Sequence, residues 1–254
     1  HRLAHEGSHY RSRGPFTVPS TPQGHPVVIQ AGQSGRGIEF AARWGEILYM
    51  ANPDIGRAKE NYVKVKEVIG AAGRDPEQVK IANLTFPVVG RTMAEAEDRR
   101  AAYDELPNLI DDLSLLSEGL NFDFSDKALD EPLSAEDVEA MTGIQGIRNQ
   151  VIEVTGKQTP TLRDFVEVSG RGRLAHPVVG GPVELADYFE EWFTTPACDG
   201  FVIAGTHMPG AFEDFVDLVV PELQRRGLFR TEYSGNTLRD HLGLSQPQLG
   251  SWKR

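Results

Sequence analysis

Pro26-Val27-Val28-Ile29-Gln30-Ala31-Gly32-Gln33-Ser34-Gly35-Arg36-Gly37-Ile38-Glu39-Phe40-Ala41-Ala42-Arg43 is the stretch from which the fold is read. Four residues of buried-strand character run into a turn holding three glycines and a serine, and helical spacing follows at once in Ile38, Ala41 and Ala42. A strand that turns into a helix in this way can hold an anion, because the first helical N–H groups lack partners and the helix dipole is positive there. Glycines allow close backbone approach to a phosphate, and Ser34 offers a hydroxyl donor. The spacing is neither G-x-G-x-x-G nor G-x-x-x-x-G-K-[ST], since Gly32, Gly35 and Gly37 fall in the reverse order and no Lys follows. Taken locally, an ordinary strand-to-helix turn fits equally well.

The chain of 254 residues suits one large α/β domain or two small ones. No run of about 18 apolar residues is present to cross a membrane. A net charge of −11, with Lys and Arg scattered, argues against nucleic acid and anionic lipid as partners. The one cysteine, Cys198, permits no internal disulfide, which fits a reducing, cytoplasmic setting.

Before the opening motif, residues 1–23 read as extended loop, and His5 and His9 lack the helical context that would make their spacing a metal site. After it, residues 46–51 form a strand-length apolar run, and Ala58, Tyr62, Val65 and Ile69 recur at helical spacing up to Gly73. Residues 81–90 give another strand, and Thr92-Met93-Ala94-Glu95 has capping-box form for a helix to about residue 106. The alternation of strand and helix predicts parallel strands with crossover helices.

Residues 108–157 interrupt that rhythm with helical segments and no strand, as an insertion in one βα loop would; its acidic residues, Asp111, Asp112, Asp123, Asp126, Asp130 and Glu131, read as a solvated face. A helix begins at Thr159-Pro160. Gly170-Arg171-Gly172-Arg173 is a turn, and the segment 176–182 leads into a helix whose Leu185, Phe189 and Trp192 face the core. Residues 199–205 are the last of four predicted strands. The final long helix, 211–226, is expected to kink or break near Val220 because Pro221 lacks an N–H, and the tail after Phe229 shows no periodicity. Four parallel strands are half of a (β/α)₈ barrel; an open doubly wound sheet is the alternative, and both place ligands at the strands' carboxyl ends.

Several ordered motifs narrow the choice. Gln30-Ala31-Gly32-Gln33-Ser34-x-x-Gly37, Glu46-Ile47-Leu48-Tyr49, Val179-Gly180-Gly181-Pro182-x-x-Leu185-Ala186-Asp187, Asp199-Gly200-Phe201, the long Glu213-Asp214-Phe215 to Arg226-Gly227 segment and Thr237-Leu238-Arg239 together resemble the nitrilotriacetate monooxygenase branch of the bacterial-luciferase-like flavin monooxygenases. The resemblance implies an α/β fold, a TIM (β/α)₈ barrel of which this chain carries the carboxyl-terminal half, strands 5 to 8, with the helical insertion at about 108–157. It implies reduced FMN and O₂ as co-reactants and a separate NAD(P)H-dependent flavin reductase as partner. The implied substrate is a small organic molecule of the aminocarboxylate, sulfur heterocycle, sulfonate or alkane class, and a homo-oligomer (dimer or tetramer) is expected. By that resemblance Ser34 holds the FMN phosphate, with Gln33, Gly35 and Gly32 supplying backbone contacts, and no metal is expected. His207, just past the last strand, is a candidate pocket residue, and the insertion a candidate lid. A deazaflavin-dependent oxidoreductase on the same barrel and a non-catalytic half-barrel are the alternatives. The start at His1 rather than Met fits a partial sequence.

Overall fold

In the computed structural model, residues 3–15, 17–32, 35–169 and 177–247 are described. An exposed antiparallel pair, β1 (His5–Glu6) and β2 (Arg11–Ser12), lies within the stretch expected to be extended loop. The main sheet follows and is wholly parallel. β3 (Ile29–Ala31) pairs with β4 (Ile47–Met50), β4 with β5 (Lys80–Val89), and β5 with β7 (Gly200–Ile203). β6 (Pro177–Gly180) pairs with the far end of β5 at Phe86–Val89. The four expected strands are therefore present, and β6 is a fifth, in a segment read only as a lead-in to a helix.

The helices α1 (Gly35–Trp44) and α2 (Ile55–Ala71) cover one face of this sheet. Alternate residues of β4 and β5 (Leu48, Met50 and Ile81) meet Ile38, Ala41, Ala42, Val65 and Ile69 in one buried cluster. This is the period-2 pattern of a strand set against the period-3.6 pattern of a helix. Asp54 caps α2 by accepting from the Arg57 N–H at 2.9 Å, and the chain leaves that helix through Gly73 at φ +77°, a conformation that a Cβ would strain. Arg74 donates to the carbonyls of Ala41, Ala42 and Gly45, where the dipole at the end of α1 favours a cation.

After β5, α3 (Met93–Asp104) starts at the expected cap, the Thr92 hydroxyl accepting from Glu95 N–H at 3.2 Å. The Glu95 carboxylate turns instead to Arg91 N–H, so only half of the capping box forms. Then come α4 (Leu109–Leu120), α5 (Ala135–Ala140), α6 (Gln145–Thr155) and α7 (Leu162–Ser169). This helical layer has a core of its own, built by Leu116, Leu120, Met141, Val151, Leu162 and Phe165. Its acidic residues are largely exposed as expected, but Asp112 is buried in the first turn of α4. The turn expected at 170–173 and His176 lie outside the described residues.

Helix α8 (Pro182–Thr194) buries Leu185, Phe189 and Trp192, and Phe189 meets Phe201 of β7 edge-on with ring centroids 4.7 Å apart. The last long helix does not break at Pro221. It runs as α9 (Gly210–Asp214), a π-helical segment (Phe215–Val219) and α10 (Val220–Arg225). The wider turn lets Val220 N–H donate to Phe215 O, five residues back, so the proline ring is accommodated without ending the helix. The tail also departs from expectation: α11 (Leu238–His241) is capped by Thr237 and buries Arg239.

Candidate functional site

All strands of the main sheet run the same way, so β3, β4 and β7 deliver Gly32, Asn52 and His207 from their carboxyl ends. At the first exit, Gly32 takes φ +149°, which favours glycine, and α1 begins three residues later at Gly35. A Cβ at Gly35 would meet nothing within 4 Å among the described residues. The first turn of α1 contains no acidic residue and presents the exposed Arg36. A positive helix end and an exposed guanidinium form a donor set that fits a phosphate. Ser34 and Gln33, expected to complete it, lie outside the described residues.

At the second exit an asparagine network ties strand to helix. Asn83 Oδ1, buried in β5, accepts from both Asn52 N–H and Asn52 Nδ2 at 3.0 Å, and Asn52 Oδ1 accepts from Asn61 Nδ2 of α2 at 2.7 Å. Beside it lies a cleft of about 450 Å³ lined by Asn52, Pro53, Leu84, Pro177, Val178, Val179 and Tyr188. Burial pushes the Tyr188 phenol up to about 12, against the opposing effect of the Thr85 hydroxyl, so it stays neutral. Sequence reading missed both the network and Tyr188. An asparagine in the middle of the apolar strand Lys80–Val89 was the available signal, because strands disfavour that residue.

At the third exit, His207 is exposed, its Nδ1 3.0 Å from the Tyr103 hydroxyl and 3.2 Å from Thr206 Oγ1. It is not among the residues lining the cleft. Cys198 is buried, and burial pushes its thiol up to about 12, which leaves it protonated and unreactive at neutral pH.

The amino ends of the strands carry a different arrangement. Asp199, just before β7, accepts from Tyr62 OH and from Ile81 N–H, each at 2.8 Å, and pairs with Lys66 at 3.2 Å. This joins α2, β5 and β7 at the end remote from the cleft. Tyr62→Phe should therefore lower stability by about 1 kcal/mol in urea unfolding; an unchanged unfolding midpoint would show that this hydrogen bond contributes nothing.

The luciferase-like monooxygenase family model matches residues 1–192. The chain belongs to this family. As a luciferase-like monooxygenase chain it is 41% identical over 251 residues to N-acetyl-S-(2-succino)cysteine monooxygenase of Bacillus subtilis (strain 168), covering 97% of this chain and 56% of that protein. It is 39% identical to nitrilotriacetate monooxygenase component A of Aminobacter aminovorans, covering 98% of this chain and 55% of that one. A solved structure of riboflavin lyase with modified FMN and riboflavin superposes with a TM-score of 0.80 at 27% identity, over 97% of this chain and 54% of that one. The chain thus spans about half the length of the curated relatives it matches. The fold is of the luciferase-like (β/α)₈ type, its parallel sheet not closed by hydrogen bonds: among the described residues β3 pairs with β4 alone, and β7 with β5 alone. No helix among the described residues is long and apolar enough to cross a membrane.

Proposed function

We propose that this chain is the carboxyl-terminal half of a two-component monooxygenase that uses reduced FMN and O₂ to oxygenate a small organic substrate. The observation that carries the reading is the β3–Gly32–α1 junction, a helix end with an exposed arginine and no acidic residue in its first turn, in a chain of this family. Ser34, with Gln33, Gly35 and Gly32, would hold the FMN phosphate and so orient the ring at the strand ends. When bound, the reduced flavin supplies the electrons and the oxygen-transfer chemistry. The chain's own residues would bind and position it, and the insertion at 108–157, helices α4 to α6, would serve as the lid that keeps water from the site.

The strands' other face supports the half-barrel reading. Ile29 is 61% exposed, and Tyr49, Leu84 and Val202 on neighbouring strands are only half-buried. An amino-terminal half would cover this face and pair with the free sides of β3 and β7, since lone strand edges are a liability. A separate NAD(P)H-dependent reductase would deliver the flavin, as the name component A in one relative suggests. The exposed Phe212 and Val216 are apolar surface that a second subunit of a homo-oligomer would cover, and the single reduced cysteine suits the cytoplasm.

FMN titration tests the phosphate site. Ser34→Ala should weaken the dissociation constant about tenfold, the scale of one hydrogen bond to a charged group. An unchanged constant would remove Ser34 from the site.

A further inference from the structure

The open face of the main sheet carries a charge. The registers of β3 with β4 and of β4 with β5 set Ile29, Ile47 and Lys80 in one row. The next residues along β4 and β5, Leu48 and Ile81, pack beneath α1 and α2, so this row lies on the opposite face. Ile29 there is 61% exposed and Lys80 is half-buried. Among the described residues no hydrogen bond or ion pair engages the Lys80 ammonium. No Asp or Glu occurs outside the described residues, so no acidic side chain of this chain pairs with it.

Topology alone admits two occupants of this face. β3 and β7 have free sides and run in the same direction, so a complementary half-barrel or a second copy could add parallel strands to both. Charge separates the two. A two-fold axis along the barrel keeps each residue at its own height, so a second copy would set both Lys80 side chains at one level of an interior that side chains fill. Enclosed there, two like charges repel and each loses hydration without a partner. A different half can supply the countercharge.

We infer that the open face docks a half-barrel of parallel strands that presents a carboxylate at the level of Lys80, and not a second copy of this chain. Resting on the half-barrel reading above, this adds the chemistry of the partner's inner face. The chain covers 56% of the Bacillus subtilis relative, and the remainder of that protein is the probe.

The test is co-expression of the 254-residue chain with that remainder, then size-exclusion chromatography with light scattering over a dilution series. A one-to-one complex is expected. Lys80→Met should weaken it about thirtyfold, because truncation strands an enclosed carboxylate. Lys80→Glu should abolish the complex, and Lys80→Arg, which keeps the charge, should retain it. Replacing the probe's Asp and Glu residues by Lys one at a time should reveal a position that restores binding to Lys80→Glu. Circular dichroism checks that each variant is folded. A folded Lys80→Met that binds as tightly as the wild type, the lack of any restoring position, or a homodimer of the chain that Lys80→Met tightens would overturn the inference and leave the half-barrel reading standing. No complex between the wild type and the probe would sink that reading and the inference with it.

Discussion

Arg239→Ala should destabilise the chain by about 3–5 kcal/mol, the cost of breaking a buried ion pair from one side. Arg239 is 1% exposed, although it sits in a tail without apolar periodicity. Its guanidinium donates to both carboxylate oxygens of Glu46, at 2.5 and 2.9 Å, and to Ser245 O at 3.1 Å. Glu46 in turn accepts from Val28 N–H at 3.0 Å, immediately before β3. The pair therefore clamps the tail to the strand that leads into the glycine turn before α1. Removing the guanidinium leaves the half-buried Glu46 carboxylate without its hydrogen-bonded countercharge, and the start of β3 loses its tie.

The pH dependence has a definite sign. Burial by itself would raise the Glu46 pKa, but the Arg239 hydrogen bonds and charge, with the Val28 N–H, bring it below its ordinary 4.5. A carboxylate depressed in the folded state stabilises fully above its unfolded pKa, and that contribution is lost as pH falls through the folded value. Urea unfolding of the wild type should thus show a loss of stability below about pH 4.5. Glu46→Gln should lack that component while being weaker at pH 7. A wild-type level of stability in Arg239→Ala at pH 7 would show that the clamp contributes nothing.

Gly143→Ala should open the helical layer while leaving the sheet intact. A Cβ at residue 143 would stand 2.3 Å from Gly119 O and 2.6 Å from the carbonyl carbon of Leu120, both backbone atoms that cannot rotate away. The close approach exists because Gly143 N–H donates to Leu120 O at 2.9 Å and Ile144 N–H to Gly119 O at 2.8 Å, joining the end of α4 to the start of α6. Overpacking against backbone costs about 3 kcal/mol, which corresponds to roughly a hundredfold faster hydrogen exchange for amides protected by this local structure. Amides at Leu116 and Leu120 should show that acceleration, while those of Leu48 and Ile81, in the separate sheet core, keep their protection. Uniform acceleration across both groups would mean that the layer and the sheet unfold as one unit.

Much of this architecture was legible from residues 26–43 outward. The alternation of short apolar runs with amphipathic helices located four of the five strands of the main sheet to within a few residues. Thr92 at a helix start and Gly73 after a helix end marked boundaries through local hydrogen bonding and backbone freedom, which depend on few neighbours. The candidate site was only partly legible: the strand–turn–helix junction at Gly32 and Gly35 could be read locally, whereas the asparagine network and the cleft beside it join residues distant in sequence.

The sequence by itself determined the parallel strand–helix rhythm and the glycine turn at the end of β3, because periodicity, propensity and capping act over a few residues. Tertiary structure alone decided the rest. β6 is four residues long, begins at a proline and ends at a glycine, so only the overhanging end of β5 makes it a strand. Pro221 could be carried through because the helix widened around it. Arg239 is buried because Glu46, distant in sequence, supplies its countercharge. A buried charge or a lone short strand has no local signature; its partner arrives only when the chain has folded.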